Sequence, residues 1–481
     1  MDCQGGDGPP RPGRTGPRPA GKPITARSAA LLVLADLRDP RQTARASIDA
    51  LIARYDLPPR DLALTWELVM GLVRHRLTLI RLLGSVVERG WPRVQRPLQD
   101  ILMLGAYQLV WLDGVPAFAA VNEAVEAAKA AGGLRAGRFV NASLRQLLRD
   151  IEHHRFRSTE ADPTRAVPID DQLSCQFRRA VLPDPAEYPV EHLAYATSHP
   201  VQLVGRWVKA FGMERTQAAC RAGTMRPPTF IRPNRLRTDP AGLVDRLKRE
   251  GIHAQATSCG RIAVAEQAAA LIHSGAFADG WFQPQDPTSM RVVQEMHLSP
   301  GQVVLDLCAG FGTKTTQMAE AMNDTGTVLA CDKDEGKLEA LQANVRRLGL
   351  RIVRTVMAAE LAPAVEATGE LDWILIDAPC SNTGVLARRP EARYRVNRPT
   401  LAKLAALQQD LLALAAGLAG PRTRLMYSTC SLELAENEEV IQAFAVAHPR
   451  WRLAGTRRIW PAAGPDLTDW QDGGYWAVWA R

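Results

Sequence analysis

From Arg27 to about Asp150, apolar residues recur every three or four positions: Leu31, Leu34 and Leu37, then Leu62, Trp66, Val69 and Val73, then Leu98, Leu102 and Leu109. A repeat of that length lines one face of an α-helix, so the pattern predicts an all-α helical bundle, assigned residues 24–154. Pro58-Pro59, Trp91-Pro92, Gly114 to Pro116 and Gly132-Gly133 interrupt the repeat. Breakers of this kind separate bundle helices, and about five to seven helices fit. The next stretch, 155–171, is polar, contains Pro and has no period, which predicts an interdomain linker. Residues 172–294 mix a helical stretch, Val201 to Phe211, with short strand-like pieces around Thr229 to Arg232 and Ile262 to Val264, the pattern of a small α+β subdomain.

Over 295–481 the rhythm changes, and after Pro300-Gly301 apolar strands alternate with helices. The order is VVLDLCA, a helix from about Lys314, VLACD, a helix from Glu335 to Leu348, IVRTVM, WILIDAP, a helix from Leu401 to Leu418, and RLMYSTC. This alternation predicts an α/β, Rossmann-like domain with a doubly wound parallel sheet, whose ligands lie at the carboxyl ends of the strands.

A chain of 481 residues exceeds what one hydrophobic core serves, in keeping with a multidomain division. With 46% hydrophobic and 23% charged residues, and no uncharged apolar run of about 18 residues, the composition is that of a soluble globular protein without a membrane partner. Residues 1–23 are rich in Gly and Pro, carry Arg11, Arg14, Arg18 and Lys22, and lack the apolar core of a secretory signal. They read as the disordered tail of a cytoplasmic protein. A formal charge of +8 and a pI near 9.2 favour a polyanionic partner such as nucleic acid. The eight cysteines include no C-x-x-C pair, and no paired His stands at ligand spacing, so no metal is expected and reduced thiols remain available for nucleophilic work.

Strand Val303 to Leu307 runs into Cys308-Ala309-Gly310-Phe311-Gly312-Thr313-Lys314. Two glycines where a strand turns into a helix let backbone approach a ligand closely, although many α/β proteins place glycine there for the turn alone. Asp332 ends the next strand, 20 residues after Gly312, where a carboxylate can accept both hydroxyls of a ribose. Together they point to an adenosine-bearing cofactor. Capping of the helix at Glu335 is the competing role for Asp332.

Two further strands end in Asp377-Ala378-Pro379-Cys380-Ser381 and Tyr427-Ser428-Thr429-Cys430-Ser431. One cysteine past a buried strand is commonly inert core. Two in matching positions beside an acid, on strands expected to be neighbours, share one crevice. Such a set suits methylation at carbon 5 of cytosine, a poor nucleophile until a thiolate adds to carbon 6. Asp377 can stabilise the electron density pushed toward ring nitrogen 3 and the exocyclic amine, and a second thiol can help when the carbon 5 proton leaves.

These motifs resemble those of the small-subunit ribosomal RNA cytosine-5 methyltransferase family called RsmB, and the resemblance runs from Arg27 to Arg481. DLCAGFGTKTTQMA is similar to the family's D-L-C-A-A-P-G-G-K-T loop, DAPCSNTGVLARRPE to its D-A-P-C-S-x-T-G-x-x-R-R-x-P-[DE] segment, and YSTCSLELAENEEVI to its Y-x-T-C-S-x-x-x-x-E-N-E segment. YQLVWLDGVPAFAAVNEAVEAAK and FVNASLRQLLRD resemble the NusB-like RNA-binding domain that the family carries at its amino end. The resemblance implies Cys430 as nucleophile, Cys380 as the residue aiding product release, and Asp377 as the cytosine-activating acid. It implies S-adenosylmethionine as cofactor, held by Cys308, Ala309, Gly310, Phe311, Gly312, Thr313, Lys314, Asp332 and Asp377. Phe311 and Thr313 depart from the family's Pro and second Gly. The acid usual after the third strand is also missing, since Ala358 and Ala359 stand there and Glu360 follows late.

Between Ala387 and Pro399, Arg388, Arg389, Arg393, Arg395 and Arg398 surround Tyr394 with Glu391 as the lone acid, a composition suited to phosphate contacts and base stacking. A second basic stretch holds Arg221, Arg226, Arg232, Arg235 and Arg237. Arg388, Arg389, Arg393, Tyr394 and Arg232 are the expected RNA contacts. The partner expected is small-subunit ribosomal RNA, unassembled or partly assembled, bound by a monomer. A methyltransferase acting on transfer RNA, or a non-catalytic RNA-binding factor built on the helical domain, remains the alternative.

Overall fold

The structure, a computed structural model, describes residues 22–39, 41–87, 90–257, 262–264, 268–464, 466 and 469–481, so the tail at 1–21 lies outside the described residues. The chain divides into two units at Ile151/Glu152. The first contains helices α1 (Ala26–Asp36), α2 (Ala44–Arg54), α3 (Pro59–Gly84), α4 (Arg96–Trp111) and α5 (Ala117–Asp150), with a short parallel pairing of β1 (Lys22–Pro23) and β2 (Tyr55–Asp56). Thr25 and Thr43 cap α1 and α2 by accepting from the N–H groups of Ser28 and Ala46. Leu68, Leu72 and Leu79 of α3, Leu102 and Val110 of α4, and Val140 and Leu144 of α5 form the buried stripes that the periodicity predicts. Helix α5 breaks at Gly132 and Gly133, and a Cβ on Gly137 would lie 2.7 Å from Lys129 Cγ, so its two halves fold back on each other.

The second unit opens with a sheet of β3 (Ile151–Arg157), β4 (Ala166–Pro168) and β5 (Leu173–Phe177), in the order β3-β5-β4. Residues 155–171 are therefore folded, contrary to the linker that their polarity suggests. Val167 pairs with Cys175, and both are buried with Phe177. A strand of three residues such as β4 is too short to display an alternation. Helices α6 (Pro189–Ala196), α7 (Val201–Phe211) and α8 (Met213–Thr224) follow. Then comes a small α+β layer of β6 (Thr229–Pro233), α9 (Pro240–Arg249), β7 (Gln255–Ala256), β8 (Ile262–Val264), α10 (Ala268–Leu271), α11 (Gly275–Ala278) and β9 (Phe282–Pro284), with strand order β7-β8-β6-β9.

Helix α12 (Pro287–Gln294) leads into the large sheet: β10 (Val303–Asp306), α13 (Thr313–Ala321), β11 (Thr327–Asp332), α14 (Glu335–Leu348), β12 (Val353–Met357), α15 (Leu361–Thr368), β13 (Trp373–Asp377), α16 (Arg398–Leu418), β14 (Arg424–Thr429), α17 (Glu438–Ala447), β15 (Arg452–Ile459) and β16 (Gly474–Ala480). Its order is β12-β11-β10-β13-β14-β16-β15, parallel through β14 and antiparallel in the last two strands. Leu305, Leu329, Ile374 and Leu425 face one buried layer while Val304, Val328, Leu375 and Met426 face the other. Cover on both faces explains why these strands read as unbroken apolar runs. Helix α16 is long and apolar enough to cross a membrane, and its Leu412, Ala415 and Ala416 are buried in the layer against the sheet.

Arg232 is a correction. It is 8% exposed on β6, where it pairs with Glu320 of α13 at 2.8 Å and donates to Thr316 Oγ1 at 3.2 Å, as well as to Gln285. It fastens the small layer to α13 and is not available to RNA. Removing one partner of a buried pair strands the other charge, so Arg232→Ala should lower stability by about 3–5 kcal/mol, measured by urea unfolding. A loss below about 1 kcal/mol would mean that the pair behaves as a surface salt bridge.

Candidate active site

Strand order places a topological switch between β10 and β13, and the carboxyl ends of β10, β11, β13 and β14 carry the predicted residues. Past β10 the loop is pinned by backbone bonds from Leu307 to Leu375 O and from Ala309 to Cys331 O, both 2.9 Å. Gly310 (φ 55°) and Gly312 (φ 81°) take left-handed conformations, and Gly312 caps α13, in which Thr313 and Lys314 begin the first turn. Phe311, in the place of the resembled family's Pro, is 64% exposed. Beneath the loop, buried Asp306 accepts from Thr315 Oγ1 at 2.7 Å. Burial pushes its carboxyl up to about 7, with Asp377 adding to the shift and Thr315 opposing it. Burial, with Asp306 and Asp377 nearby, also pushes the Cys308 thiol well up, so it stays neutral.

Asp332 Oδ2 accepts from Gly310 N at 2.9 Å, and its Oδ1 from Asp334 N at 3.0 Å. The cap of α14 is Asp334, which accepts from Lys337 N, so the competing role for Asp332 is filled by its neighbour. Each Asp332 oxygen keeps a second lone pair for a hydroxyl. A Cβ added to Gly310 would meet no atom within 4 Å, and one Asp306 oxygen is buried without a partner. Open space over a glycine beside an acceptor-rich strand end fits the ribose of an adenosine-bearing cofactor. Glu360 is exposed at the start of α15, past a short turn containing Ala358 and Ala359.

Strands β13 and β14 are adjacent and parallel, with Asp377 opposite Ser428. This register brings Cys380 Sγ to 3.1 Å from Cys430 Sγ. The Cys430 thiol also donates to Asn382 Oδ1 at 3.2 Å, while Asn382 (φ 61°) donates to Cys380 O at 2.9 Å. The contact with Cys430, then burial, then the Glu436 carboxylate push the Cys380 thiol well above the ordinary thiol range. Asp377 accepts from Lys314 Nζ at 2.5 Å and from Ser428 Oγ at 2.7 Å. Burial disfavours the Lys314 charge, but Asp377 outweighs it and holds the ammonium protonated.

Three residues to which the sequence reading gave no role hold the two cysteine loops together. Glu436, fully buried, accepts from Ser381 N at 2.8 Å, Ser431 Oγ at 2.5 Å and Gln408 Nε2 at 3.1 Å. Asn437 accepts from Thr429 Oγ1 at 2.6 Å and donates to Ser431 O at 2.9 Å. Gly384 donates to Cys430 O and accepts from Gly473 N, both at 2.8 Å. A Cβ there would come within 2.6 Å of Gly473 O and 2.8 Å of Cys430 O, so only glycine allows the approach. The signal available in sequence was their place in the two quoted motifs, Glu436 and Asn437 in the E-N-E that follows Cys430 and Gly384 in the T-G that follows Cys380.

A cavity of about 490 Å³ opens over this floor, lined by both cysteines, Asp377, Lys314 and, from other segments, Asp286, Arg388, Arg389 and Asp472. The arginine loop departs from the expected RNA surface. Arg393 is fully buried, donating to Thr197 O, Ser198 O and Gly223 O at 3.2, 3.1 and 2.7 Å, because backbone carbonyls from α6 to α8 converge on it. Arg388 is turned onto Asp472 and Asp286. Tyr394 is half-buried, its hydroxyl 3.4 Å from Ser198 Oγ, whereas Arg389 is exposed at the cavity.

Three family models match the chain: 16S rRNA methyltransferase RsmB/F over residues 293–463, the NusB family over 24–149, and the ferredoxin-like domain of RsmF/B-like methyltransferases over 199–269. The chain is 31% identical over 430 residues to the "Probable ribosomal RNA small subunit methyltransferase B" of Bacillus subtilis, covering 89% of this chain and 90% of that one. It is 32% identical over 432 residues to a protein of the same name from Synechocystis sp., covering 89% and 91%. The crystal structure of PH0851 matches with a TM-score of 0.72 at 22% identity, over 95% of this chain and 99% of that chain, which shows a shared fold.

Thiols in contact oxidise readily to a disulfide. Diamide should therefore link Cys380 to Cys430 within the chain, read by non-reducing peptide mass mapping. Gly384→Ala, by pushing the Cys430 backbone away, should slow the linkage on the order of tenfold and cost about 1–3 kcal/mol of stability. Unchanged linkage in that variant would show that Gly384 does not set the thiol geometry.

Proposed function

The chain belongs to the RsmB/F family of 16S rRNA methyltransferases, and from that premise we propose that it transfers a methyl group from S-adenosylmethionine to carbon 5 of a cytosine in small-subunit ribosomal RNA, with Cys430 as covalent nucleophile. The observation that carries this reading is the 3.1 Å contact between Cys380 and Cys430 beside Asp377, at the ends of adjacent parallel strands. Two touching thiols do not both ionise, and Cys380 is the one held protonated. The Cys430 sulfur is the one that adds to carbon 6. Bound S-adenosylmethionine supplies an electrophilic methyl group, which the activated carbon 5 takes.

Asp377, bridged to Lys314, supplies an acceptor for the exocyclic amine, and the ammonium beside it stabilises negative charge developing on the ring. Once the Cys430 sulfur is a thioether, the thiol contact that does most to raise Cys380 is gone. Cys380 can then give its proton to solvent and, as a thiolate, take the carbon 5 proton, whose bonding pair closes the carbon 5–carbon 6 double bond and expels Cys430 as a thiolate. Asp332 and the Gly310 backbone hold the adenosine end of the cofactor, with Cys308, Ala309, Phe311, Gly312, Thr313 and Lys314 shaping the loop between them. Exposure of Arg389 at the cavity supports a contact with RNA phosphate. Ribosomal rather than transfer RNA is supported by the match of the first unit to the NusB family and by the names of the relatives.

Incubation with methyl-labelled S-adenosylmethionine and a 16S rRNA transcript, followed by nucleoside analysis, should yield label in 5-methylcytidine, and none with Cys430→Ala. In the same assay Asp332→Ala should raise the cofactor KM about 10–100-fold through loss of charge-assisted bonds to ribose. Label in another nucleoside would overturn the cytosine assignment, and full activity of Cys430→Ala would overturn the nucleophile.

A further inference from the structure

We propose that Arg388 is a positioning residue for Cys430, acting through Asp472 and the Gly473–Gly384 backbone contact; the proposal rests on the reading of Cys430 as nucleophile. Its guanidinium spends three donors on three separate segments. Nε reaches Asp472 Oδ2 at 2.5 Å, Nη2 reaches Asp286 Oδ2 at 3.0 Å, and Nη1 reaches Pro228 O at 3.0 Å. A lysine could hold one of these as a point charge, but it could not bridge all three.

The two carboxylates are themselves fixed. Asp286 caps α12 by accepting from Thr288 N at 2.7 Å, and the Thr288 hydroxyl donates to Asp472 O at 2.7 Å. Asp472 is 2% exposed, and the Arg388 guanidinium bonds both its carboxyl and that of Asp286, fixing one against the other. Burial pushes the Asp472 carboxyl up to about 7, with Arg388 opposing and Asp286 adding to the shift.

The residue after Asp472 carries the arrangement to the nucleophile. Gly473 N donates to Gly384 O and Gly384 N donates to Cys430 O, each at 2.8 Å. A Cβ on Gly473 would lie 2.9 Å from Gly384 Cα, so the two chains touch with no side chain to cushion a shift. A displacement of Asp472 therefore passes directly to the Cys430 backbone. Without Arg388, Asp472 loses the side chain that anchors it to Asp286 and to the Pro228 carbonyl, and is free to shift. A phosphate-binding arginine would instead point its donors at solvent, as Arg389 can.

The test is steady-state methyl transfer to a 16S rRNA transcript, with RNA affinity measured by filter binding over a salt series. Arg388→Ala should lower kcat about 100-fold, as an ångström-scale misplacement of a reacting group does, and leave RNA affinity and its salt slope unchanged. Arg388→Lys should recover part of the loss. Adding Asp472→Asn to Arg388→Ala should also recover part of it, because the amide can donate to Asp286 and hold position 472 where the guanidinium did. A raised RNA KM with a flatter salt slope, or no recovery from Asp472→Asn in a variant whose urea midpoint matches the parent, would overturn the proposal. Failure of the nucleophile reading is separate, since it appears as activity in Cys430→Ala whatever Arg388 does.

Discussion

The buried carboxylate of Glu436 is the contact on which the geometry of this site depends. It accepts from Ser381 in one cysteine loop and from Ser431 in the other, so a single acid ties together the two segments that leave β13 and β14. Parallel pairing alone sets the strands side by side, but it does not specify where the chain goes after the last ladder bond. Glu436 does so through its side chain, and the Cys430–Gly384–Gly473 backbone contacts do so through the main chain. A fully buried carboxylate without its donors would cost several kcal/mol, so this network forms as a whole or not at all.

Electrostatics in the cavity follow from the same economy of pairing. Asp377 is matched by Lys314, and Asp286 with Asp472 by Arg388, so few charges face the cavity unpaired. A site compensated in this way can receive a sulfonium and a neutral base without first shedding a counter-ion. The thiol pair is the exception, because contact with Cys430 and burial push the Cys380 thiol upward.

Much of this was legible in the chain. The strand and helix alternation after Pro300 located the sheet, the helix Glu335–Leu348 fell where the pattern put it, and both cysteines were found at matching strand ends. Legibility failed where a partner lay far away in sequence. Arg393 reads as an RNA contact in a basic loop, yet its acceptors are main-chain carbonyls of Thr197, Ser198 and Gly223, which no side-chain pattern advertises. Arg232 likewise meets Glu320, 88 residues on, inside a helix chosen for other reasons. Residues 155–171 failed for a different reason, since strands this short bury one or two side chains and leave no period to read.

The proposed division of labour between the two cysteines is tested most directly by trapping the covalent state. Cys380→Ala should still add to carbon 6 and accept the methyl group, but release slowly. After incubation with S-adenosylmethionine and a 16S rRNA transcript, denaturing electrophoresis should show a slow protein–RNA band for Cys380→Ala, absent when Cys430→Ala is added. A band that forms with Cys430→Ala and not with Cys380→Ala would contradict the assignment and make Cys380 the nucleophile.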